Sequence, residues 1–478
     1  MFVSLFFPVY LVITATLFFL LPGKWRPALL LAFSYFFCGW LDVRALAVLI
    51  LFSFFTWGAG LAIEGQKRKG NQKRGRNYLI LAAVFGIGLL CIYKYVPGLS
   101  LRFGILKEIP QGLAQKLVMP VGLSFYLFQA IGYLADIYQG KSPAEKNFLY
   151  LGCYLAFFPK LVSGPIEREE EFLPQIKAVK NVRFYDRGRL STAFTYMLWG
   201  YFMKMVVADR LAVTVNQIFD APEVFDSFWL AAGALLYTMQ IYCDFAGYSY
   251  IAVGCAGVFG IRLTQNFRAP YCASGITDFW RRWHVSLSTW LRDYLYIPLG
   301  GNRKGMPRKC MNTMIVFLVC GMWHGSGVNF IAWGLLHGIY SVVETLGRRA
   351  GVKMKGGRLI TFLAVAFAWI FFRASSFGAA AGYIGRMVTA GLRPEMWRQY
   401  TELLHLNAVE IAVILAGILV ICVVDELCCR KKLHLPTMIQ HQQNAARYLV
   451  FYMLIVAIFI FGMYGPGYHA EQFIYMQF

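Results

Sequence analysis

Two histidines in strongly apolar stretches, His284 and His324, are the residues best suited to chemistry in this chain. A neutral imidazole can take up a proton at physiological pH, so either residue fits the role of a general base that activates a hydroxyl group. Burying such a side chain costs free energy unless its neighbours or its chemistry require it. His324 also has a packing interpretation, as a hydrogen-bonding residue between helices. His284 would contact an anionic substrate or anchor an interfacial helix.

A third histidine and a lone carboxylate lie in similar surroundings. His337 is placed about 20 Å from His324 by helical rise, which is too far to share a metal, so packing is its expected role. Asp244 interrupts an apolar helix and must find a cation or hydrogen-bond donors, either for function or in a structural ion pair. The nearest cations in the sequence are Arg281, Arg282 and Arg292. The cysteines and histidines show no spacing typical of a metal site, and no metal is expected.

A glycine-rich basic turn occupies residues 300–305, with the sequence GGNRKG. Backbone N–H groups in such a turn, together with Arg303 and Lys304, are suited to hold a phosphate group. Turns of this kind are also common in connecting loops. The motif is therefore compatible with an anion site or with a plain connection.

The elements that position these residues are predicted to be membrane helices. The 478 residues are 58% hydrophobic and 15% charged, which gives more apolar surface than a soluble domain can bury. Apolar runs recur along the whole chain and predict about twelve crossings. They include residues 2–21, 43–63, 78–95, 408–424 and 448–462. The sequence therefore predicts an all-α polytopic membrane protein, with one membrane domain over residues 1–478.

The formal charge of +22 comes from lysines and arginines in short connections between apolar runs. This pattern is typical of topogenic signals and does not indicate a nucleic-acid partner. Loops rich in Lys and Arg stay cytoplasmic, and the clearest is residues 67–76, with three predicted helices before it. That count places the N-terminus outside. Residues 303–309, 348–358 and 430–432 are also predicted inside, which makes the C-terminus extracytoplasmic.

Two stretches, residues 159–189 and 262–309, interrupt the pattern of long helices and short loops. The second is too polar to cross lipid and too aromatic for a solvated loop, so it is expected at the interface or folded back into the protein. The helix leading to His324 is expected to begin after Lys309 and to run for about fifteen residues, roughly 22 Å. The turn at residues 325–327 then places His324 at the apex of a hairpin.

The segments around the two histidines resemble a known family. WRRWHVSLSTWLRDYLYIPLGGNR (280–303), MWHG (322–325) and WGLLHG (333–338) closely resemble the membrane-bound O-acyltransferases, especially the branch that O-acetylates alginate. The proteins that D-alanylate teichoic acid are nearer cousins than the lipid or peptide acyltransferases. SFYLFQAIGYLADIY (124–138), FFPKLVSGPIER (157–168) and QIYCDFAGYS (240–249) also match. The resemblance covers most of residues 120–340, which form the predicted core.

The resemblance implies a plasma-membrane enzyme whose transmembrane helices, with re-entrant or interfacial helices, surround a central funnel or tunnel. His324 corresponds to the family's essential histidine and His284 to its second. The implied acyl donor is cytoplasmic, with acetyl-CoA expected as a substrate and no bound cofactor. An extracytoplasmic, SGNH-like acetyl-transferring protein would pass the group to a secreted or wall polysaccharide, together with the polysaccharide synthesis machinery.

Other residues receive roles as hypotheses under the same interpretation. Donor binding is assigned to Arg282, Trp283, Asn302, Arg303 and Lys304. Polar support of the site is assigned to Asp244, Arg292 and Asp293. The acidic residues at 167–171 are assigned no role.

The last residues, FIYMQF (473–478), resemble a C-terminal ending of this branch in which a tyrosine is proposed to carry the acyl group, with Met476 at a position usually aromatic. Tyr475, in the predicted extracytoplasmic tail 464–478, is therefore a candidate acyl relay, although a packing role is equally compatible. Three other functions remain open: D-alanyl-type transfer from a carrier protein, a transporter or flippase for lipid-linked glycans, and a non-catalytic scaffold. The two repeated halves expected of a transporter are not found in the sequence.

Overall fold

Every regular element in the described part of the chain is helical, as the sequence predicted. The computed structural model describes residues 2–4, 6–103, 119–162, 164–352 and 356–464, with the side chains of 98–103 excepted. The chain divides into two units. We call Phe6–Ala193 with Ala252–Thr264 the N-terminal unit, and Met1–Leu5, Phe194–Ile251 and Gln265–Phe478 the C-terminal unit.

The N-terminal unit is built on long apolar helices followed by shorter ones. Its helices are α1 (Phe6–Leu20), α2 (Arg26–Leu41), α3 (Val43–Arg68), α4 (Gln72–Phe103), α5 (Leu123–Gln139), α6 (Phe148–Ala156), α7 (Phe158–Leu161), α8 (Glu169–Ala178) and α9 (Arg187–Tyr201), the last of which continues into the C-terminal unit. Three helices precede the basic stretch 67–76, as predicted. The orientation derived from that count stays a prediction.

The C-terminal unit contains the histidine segments. A π-helical segment, Phe202–Ala208, continues directly from α9. The α-helices that follow are α10 (Asp209–Asp220), α11 (Ser227–Val258), α12 (Ile276–Trp280), α13 (Val285–Leu291), α14 (Gly305–His324), α15 (Val328–Arg349), α16 (Gly357–Arg373), α17 (Phe377–Thr389), α18 (Trp397–Leu403), α19 (Ala408–Lys431), α20 (Leu435–Gln440) and α21 (Asn444–Phe461). A second π-helical segment, Arg292–Tyr296, extends α13.

Five helices of the described chain are long and apolar enough to cross a membrane. They are α3, α4 over Gln72–Pro97, α15, α19 and α21, while α1 is a shorter apolar helix. In α21 the side chains of Leu449, Met453 and Phe459 are at least 60% exposed, a pattern that suits contact with lipid and not with water. The predicted total of twelve crossings and the central funnel stay predictions.

The two interrupted stretches fold as short helices. Residues 159–189 contain α8, a 3-10 turn at Val179–Asn181 and two helix ends, whereas residues 262–309 contain α12, α13 and the first turns of α14. The expected position of the second stretch, at the interface or folded back into the protein, stays a prediction. The helix leading to His324 differs from expectation. It begins at Gly305, before Lys309, and has 20 residues. The glycine-rich turn ends at Gly305 and supplies its start, so the basic residues up to Lys309 form its first turns.

Glycines bring α14 and α15 into close contact. The α-carbons of Gly321 and Gly334 face each other, and a Cβ on Gly334 would overlap the carbonyl oxygen of Phe317. Gly338 lies four residues further along α15, beside Met314 of α14. This small-xxx-small spacing lets helix backbones approach each other closely in a membrane. The antiparallel pair therefore places His324, the last residue of α14, at the predicted apex.

Substitution of Gly334 by Ala is expected to separate α14 from α15. The added methyl group meets backbone atoms, which cannot rotate away, so we expect about 1–3 kcal/mol of destabilisation. Thermal unfolding of the purified protein in detergent measures this effect. Gly382→Ala is the matched control, because Gly382 lies in α17 and a Cβ added there would have no neighbouring atom within 4 Å. Equal melting temperatures for the two variants would contradict the proposed close contact.

Candidate functional site

His324 lies at the C-terminal end of α14 inside a shell of aromatic rings. Its imidazole is 4% exposed, and its centroid lies 4.8 Å from Trp323, 5.0 Å from Trp333 and 5.3 Å from Phe372. All three rings meet it edge to face. Carbonyl groups at a helix C-terminus carry partial negative charge, which stabilises a positive charge nearby. The position therefore suits an imidazole that becomes an imidazolium during a reaction.

His284 precedes α13 in a left-handed backbone conformation, with φ of 44°. Its side chain does not cap that helix; Asn266, which is fully buried, does so instead. The Asn266 carbonyl oxygen accepts from the Val285 N–H at 3.0 Å, and its Oδ1 accepts from the Ser286 N–H at 3.1 Å. This arrangement turns the His284 ring inward, against Phe245 at 4.8 Å.

The surroundings of His284 suit a neutral ring. Burial lowers the pKa of His284 to about 3, so the imidazole carries no charge at physiological pH. A group with so low a pKa is a weak base. His284 is therefore better suited to hydrogen bonding than to proton abstraction.

A single indole joins the two predicted histidines. Trp323 lies 6.1 Å from the His284 ring and 4.8 Å from the His324 ring. The structure thus brings His284 and His324 together in the C-terminal unit, although some forty residues separate them in sequence.

His337 is much nearer to His324 than the sequence estimate of about 20 Å indicated. The two histidines lie on different helices of the hairpin, and each ring centroid is 5.0 Å from that of Trp333, so they are separated by no more than twice that distance. The estimate was wrong because it assumed one continuous helix, whereas the chain reverses after His324. Trp280 Nε1 donates a hydrogen bond to His337 Nδ1 at 3.2 Å.

A carboxylate at the far end of α15 fixes the helix that carries Trp280. Glu344 Oε2 accepts from the Thr277 N–H at 2.9 Å and from its hydroxyl at 3.3 Å. Because Thr277 lies in the first turn of α12, the carboxylate accepts from an N–H group that has no partner within the helix, and its negative charge interacts favourably with the helix dipole. The position of Trp280 against His337 is therefore held from α15 itself.

Trp283, predicted to bind the donor, lies in the aromatic core. It is 1% exposed, and its ring contacts Phe267 at 5.0 Å, Phe279 at 5.6 Å and Trp369 at 5.0 Å. Trp369 in turn stacks on Trp333 at 5.6 Å. The structure gives Trp283 the surroundings of a packing residue that supports the histidine shell.

The glycine-rich turn offers exposed cationic side chains to an anion, while several of its backbone N–H groups are already hydrogen-bonded. The N–H groups of Gly300, Gly301 and Arg303 already donate within the turn, to carbonyl oxygens of Ile297, Tyr296 and Gly300. Arg303 and Lys304 are exposed, and their side chains form no ion pair in the described chain. They stand at the N-terminus of α14, where the helix dipole also favours an anion. Asn302 Oδ1 accepts from the hydroxyl of Tyr296.

Arg282 and Arg292 each have a carboxylate partner close in sequence. Arg282 Nε donates to Asp278 Oδ1 at 2.9 Å, and Arg292 Nε donates to Asp293 Oδ1 at 2.6 Å. The carboxylate of Asp293 is therefore paired with the guanidinium of its sequence neighbour. Arg282 remains one-quarter exposed and keeps part of its guanidinium available to solvent.

The cation beside Asp244 is Lys204, and none of the arginines expected from the sequence. Lys204 Nζ lies 2.7 Å from Asp244 Oδ1 and 2.6 Å from Asp209 Oδ1, and all three side chains are at most 3% exposed. The expectation failed because Lys204 sits in the π-helical segment Phe202–Ala208, which directs its side chain toward α11. The group is an ion triad within the C-terminal unit.

The N-terminal unit has its own buried polar group, in the segment FFPKLVSGPIER. Lys160 donates to Gln129 Oε1 and to the Tyr154 carbonyl oxygen, and Glu167 Oε1 accepts from the Thr264 N–H at 2.6 Å. Burial lowers the pKa of Lys160 and raises that of Glu167, and each charge opposes the shift of the other. These bonds give the first acidic residue of the cluster at 167–171 a structural role.

Sequence reasoning missed Asn266, Trp280 and Lys204. Asn266 directly precedes a Phe-Arg pair. Nothing in its local sequence indicates that it caps α13, because eighteen residues lie between Asn266 and the first residue of that helix. Trp280 stood within the recognised motif, but only the fold shows its bond to His337. Lys204 had one usable signal, since a lone lysine in an apolar run requires a carboxylate partner.

Among the described residues, no group of three or more His, Cys, Asp or Glu could hold a metal ion. Tyr475 lies outside the described residues.

Comparison with known proteins identifies the family of this chain. The model of the membrane-bound O-acyltransferase family matches residues 145–376, which include all three histidines. The probable alginate O-acetylase of Pseudomonas putida is 36% identical over 403 residues, covering 82% of this chain and 79% of that protein. The chain belongs to this family.

Two further relatives of this membrane-bound O-acyltransferase are named for other cell-wall polymers. The peptidoglycan O-acetyltransferase of Helicobacter pylori is 34% identical over 400 residues, covering 77% of this chain and 74% of that protein. The teichoic acid D-alanyltransferase of Bacillus subtilis is 27% identical over 277 residues, covering 55% and 69%. The acyltransferase is thus an enzyme integral to the membrane.

Replacing Lys204 by Met is expected to destabilise the acyltransferase. Two carboxylates would then remain buried without their ammonium group, and breaking a buried ion pair from one side costs about 3–5 kcal/mol. We expect a lower folded yield and a lower melting temperature in detergent. Adding Asp244→Asn to Lys204→Met should recover part of the loss. Lys69→Met, at an exposed lysine, is the control, and a Lys204→Met protein as stable as this control would refute the triad's structural role.

Proposed function

We propose that this acyltransferase transfers an acetyl group from a cytoplasmic thioester, acetyl-CoA, toward the O-acetylation of a secreted or cell-wall polysaccharide. The observation that carries the proposal is the position of His324, buried at the apex of α14 and α15 beside His284. The relatives named for alginate and peptidoglycan O-acetylation, which align with about four-fifths of the chain, support the acyl group and the class of acceptor.

His324 is proposed to act as the general base. It would remove the proton of the acceptor hydroxyl as the oxygen attacks the thioester carbonyl, and later return a proton to the leaving thiol. The helix end beside it favours the intermediate imidazolium. His284, neutral and buried, would orient the reacting groups by hydrogen bonding.

Arg303 and Lys304 are proposed to bind the phosphates of the donor. They are exposed at the N-terminus of α14, and they lie in the loop predicted to face the cytoplasm. α14 has 20 residues and so spans about 30 Å between this turn and His324. An extended pantetheine arm is shorter than this distance, so the side chains of Arg303 and Lys304 would have to reach from the turn toward His324 for the thioester to arrive there. Arg282 is kept as a further phosphate contact, whereas Trp283 and Asn302 contribute packing and turn structure.

The acetyl group would pass to an extracytoplasmic, SGNH-like protein that acetylates the polymer. D-alanyl transfer from a carrier protein is the alternative, supported by the 27% identity to a teichoic acid D-alanyltransferase. The lower identity and the shorter aligned length make it the weaker candidate. A transporter and a scaffold have no comparable support.

His324→Ala is expected to abolish thioester consumption. Loss of a general base typically lowers the rate by about 10²–10⁴-fold. The measurement is release of free thiol from labelled acetyl-CoA by purified protein in lipid vesicles, with a D-alanyl-carrier thioester supplied in a parallel reaction. His441→Ala, at an exposed histidine of the same unit, is the control. An active His324→Ala enzyme with a normal melting temperature would overturn the assignment.

Tyr475→Phe tests the relay hypothesis. If the tyrosine oxygen carries the acyl group, the variant should lose polymer acetylation in cells, and the C-terminal peptide of turned-over wild-type protein should carry an acetyl group by mass spectrometry. Tyr464→Phe, at a partly exposed tyrosine, is the matched control. An unmodified C-terminal peptide together with an active Tyr475→Phe protein would eliminate the relay.

A further inference from the structure

Two buried N–H groups beside His324 lack a hydrogen-bond acceptor in the described part of the chain. They are Nε2 of His337 and Nε1 of Trp333, and both side chains are fully buried. An indole nitrogen can only donate, so the bond from Trp280 Nε1 requires His337 Nδ1 to be an acceptor. The proton of a neutral His337 is therefore on Nε2, where no acceptor within the described residues meets it.

Leaving two such donors unsatisfied is costly. Each buried donor without an acceptor costs about 1–3 kcal/mol, and native structures keep few of them. His337 already stacks nearly parallel to Phe279 at 6.1 Å and to Phe317 at 6.2 Å. An acceptor that is present during the reaction would satisfy both donors.

Both donors belong to rings that lie close to the proposed base. Trp333 lies 5.0 Å from both His324 and His337. A series of base, attacking hydroxyl, carbonyl carbon, carbonyl oxygen and N–H donor extends over roughly 7–10 Å, from contacts of about 3 Å each. That length does not exceed the upper limit on the separation of the two histidine rings. Since Trp333 is in edge-to-face contact with both of them, the acyl group would lie beside the indole and not between the rings.

We propose that His337 Nε2–H and Trp333 Nε1–H bind the carbonyl oxygen of the acyl group and stabilise the oxyanion that forms during transfer. The inference rests on the proposed role of His324 as the base, and it makes His337 a catalytic residue in place of a packing residue. Neither donor is assigned by the names of the related proteins or by the family match.

The transfer step is balanced with these groups. The acceptor oxygen forms a bond to the carbonyl carbon while its proton moves to His324, and the carbonyl π electrons move to the oxygen held by the two donors. Collapse of this tetrahedral intermediate restores the carbonyl and breaks the carbon–sulfur bond. The departing thiolate takes the proton from the His324 imidazolium and leaves as a thiol.

Contacts on three sides keep the donors in place. Trp280 fixes the His337 ring through Nδ1, and Glu344 fixes α12, which carries Trp280. Trp333 stacks on Trp369 at 5.6 Å with an angle of 20° between the rings. Donors that are already oriented need no reorganisation when the negative charge develops, which is the source of their catalytic effect.

The test compares His337→Phe with His337→Gln. Phe keeps an aromatic ring in the stack but removes the donor together with the Nδ1 acceptor of Trp280, whereas Gln restores an N–H near the position of Nε2. Trp333→Phe removes a donor and leaves the bond from Trp280 to His337 intact. We expect His337→Phe to lower kcat for acetyl-CoA consumption by about 10²–10³-fold, with little change in KM, since an oxyanion donor acts mainly in the transition state. His337→Gln should recover a substantial part of kcat. Trp333→Phe should resemble His337→Phe.

The matched control is Trp229→Phe, which removes another buried indole N–H without an acceptor among the described residues but lies in the cluster around Ile218 and Phe225, away from the histidines. It should leave kcat unchanged. Isotope-edited infrared spectroscopy of bound acetyl-CoA gives a second measure. The carbonyl stretch should shift to lower frequency in the wild-type enzyme and return toward the value in solution in His337→Phe.

A His337→Phe enzyme with kcat within a few-fold of wild type, or with an unchanged carbonyl frequency, would overturn the inference. If His337→Phe does not fold, the Gln and Trp333→Phe variants decide by the same criteria. An active His324→Ala enzyme would instead reject the proposed base. Failure of the donor inference alone leaves the proposed function standing.

Discussion

The close contact between α14 and α15 is the constraint on which the candidate site depends. Gly321 and Gly334 allow the two backbones to touch, and this contact determines where α14 ends and where Trp333 and His337 face it. A side chain at either glycine would hold the helices apart and remove the indole from the His324 ring. In a lipid environment, where apolar side chains gain little by leaving the solvent, such backbone packing is a main source of helix association.

Around this hairpin, aromatic rings take the place that polar side chains hold in many soluble active sites. Tryptophan and phenylalanine exclude water from the imidazoles, which strengthens every electrostatic interaction inside the shell. One group of buried charges in the C-terminal unit, Lys204 and its two aspartates, is not among the side chains described in contact with the histidine rings. The proposed chemistry thus relies on neutral donors, a helix end and one base.

The sequence predicted a helical membrane protein and brought His284 and His324 forward, because ionisable residues in apolar runs are rare and identifiable. Motif resemblance supplied the family, which relatives along most of the chain confirm. Contacts between residues that are distant in the sequence were harder to predict. The separation of His337 from His324 was overestimated because the estimate treated the segment between them as one continuous helix, whereas the chain reverses after His324. The partner of Asp244 was misassigned because a π-helical segment changes the direction of the side chains that follow, and no residue pattern announced it. Asn266 capping a helix eighteen residues later is equally invisible to local pattern.

The left-handed backbone at His284 has a practical consequence for mutagenesis. Residues with a Cβ generally lose about 1–2 kcal/mol in this conformation, while asparagine tolerates it better than most side chains. An alanine at this position therefore changes two properties at once, the imidazole and the ease with which the chain turns into α13. Asparagine would keep the turn nearly as accessible and would retain a polar group. A comparison of these two substitutions separates loss of the ring from distortion of the polypeptide. An alanine substitution alone would report the two effects together as a single loss of activity.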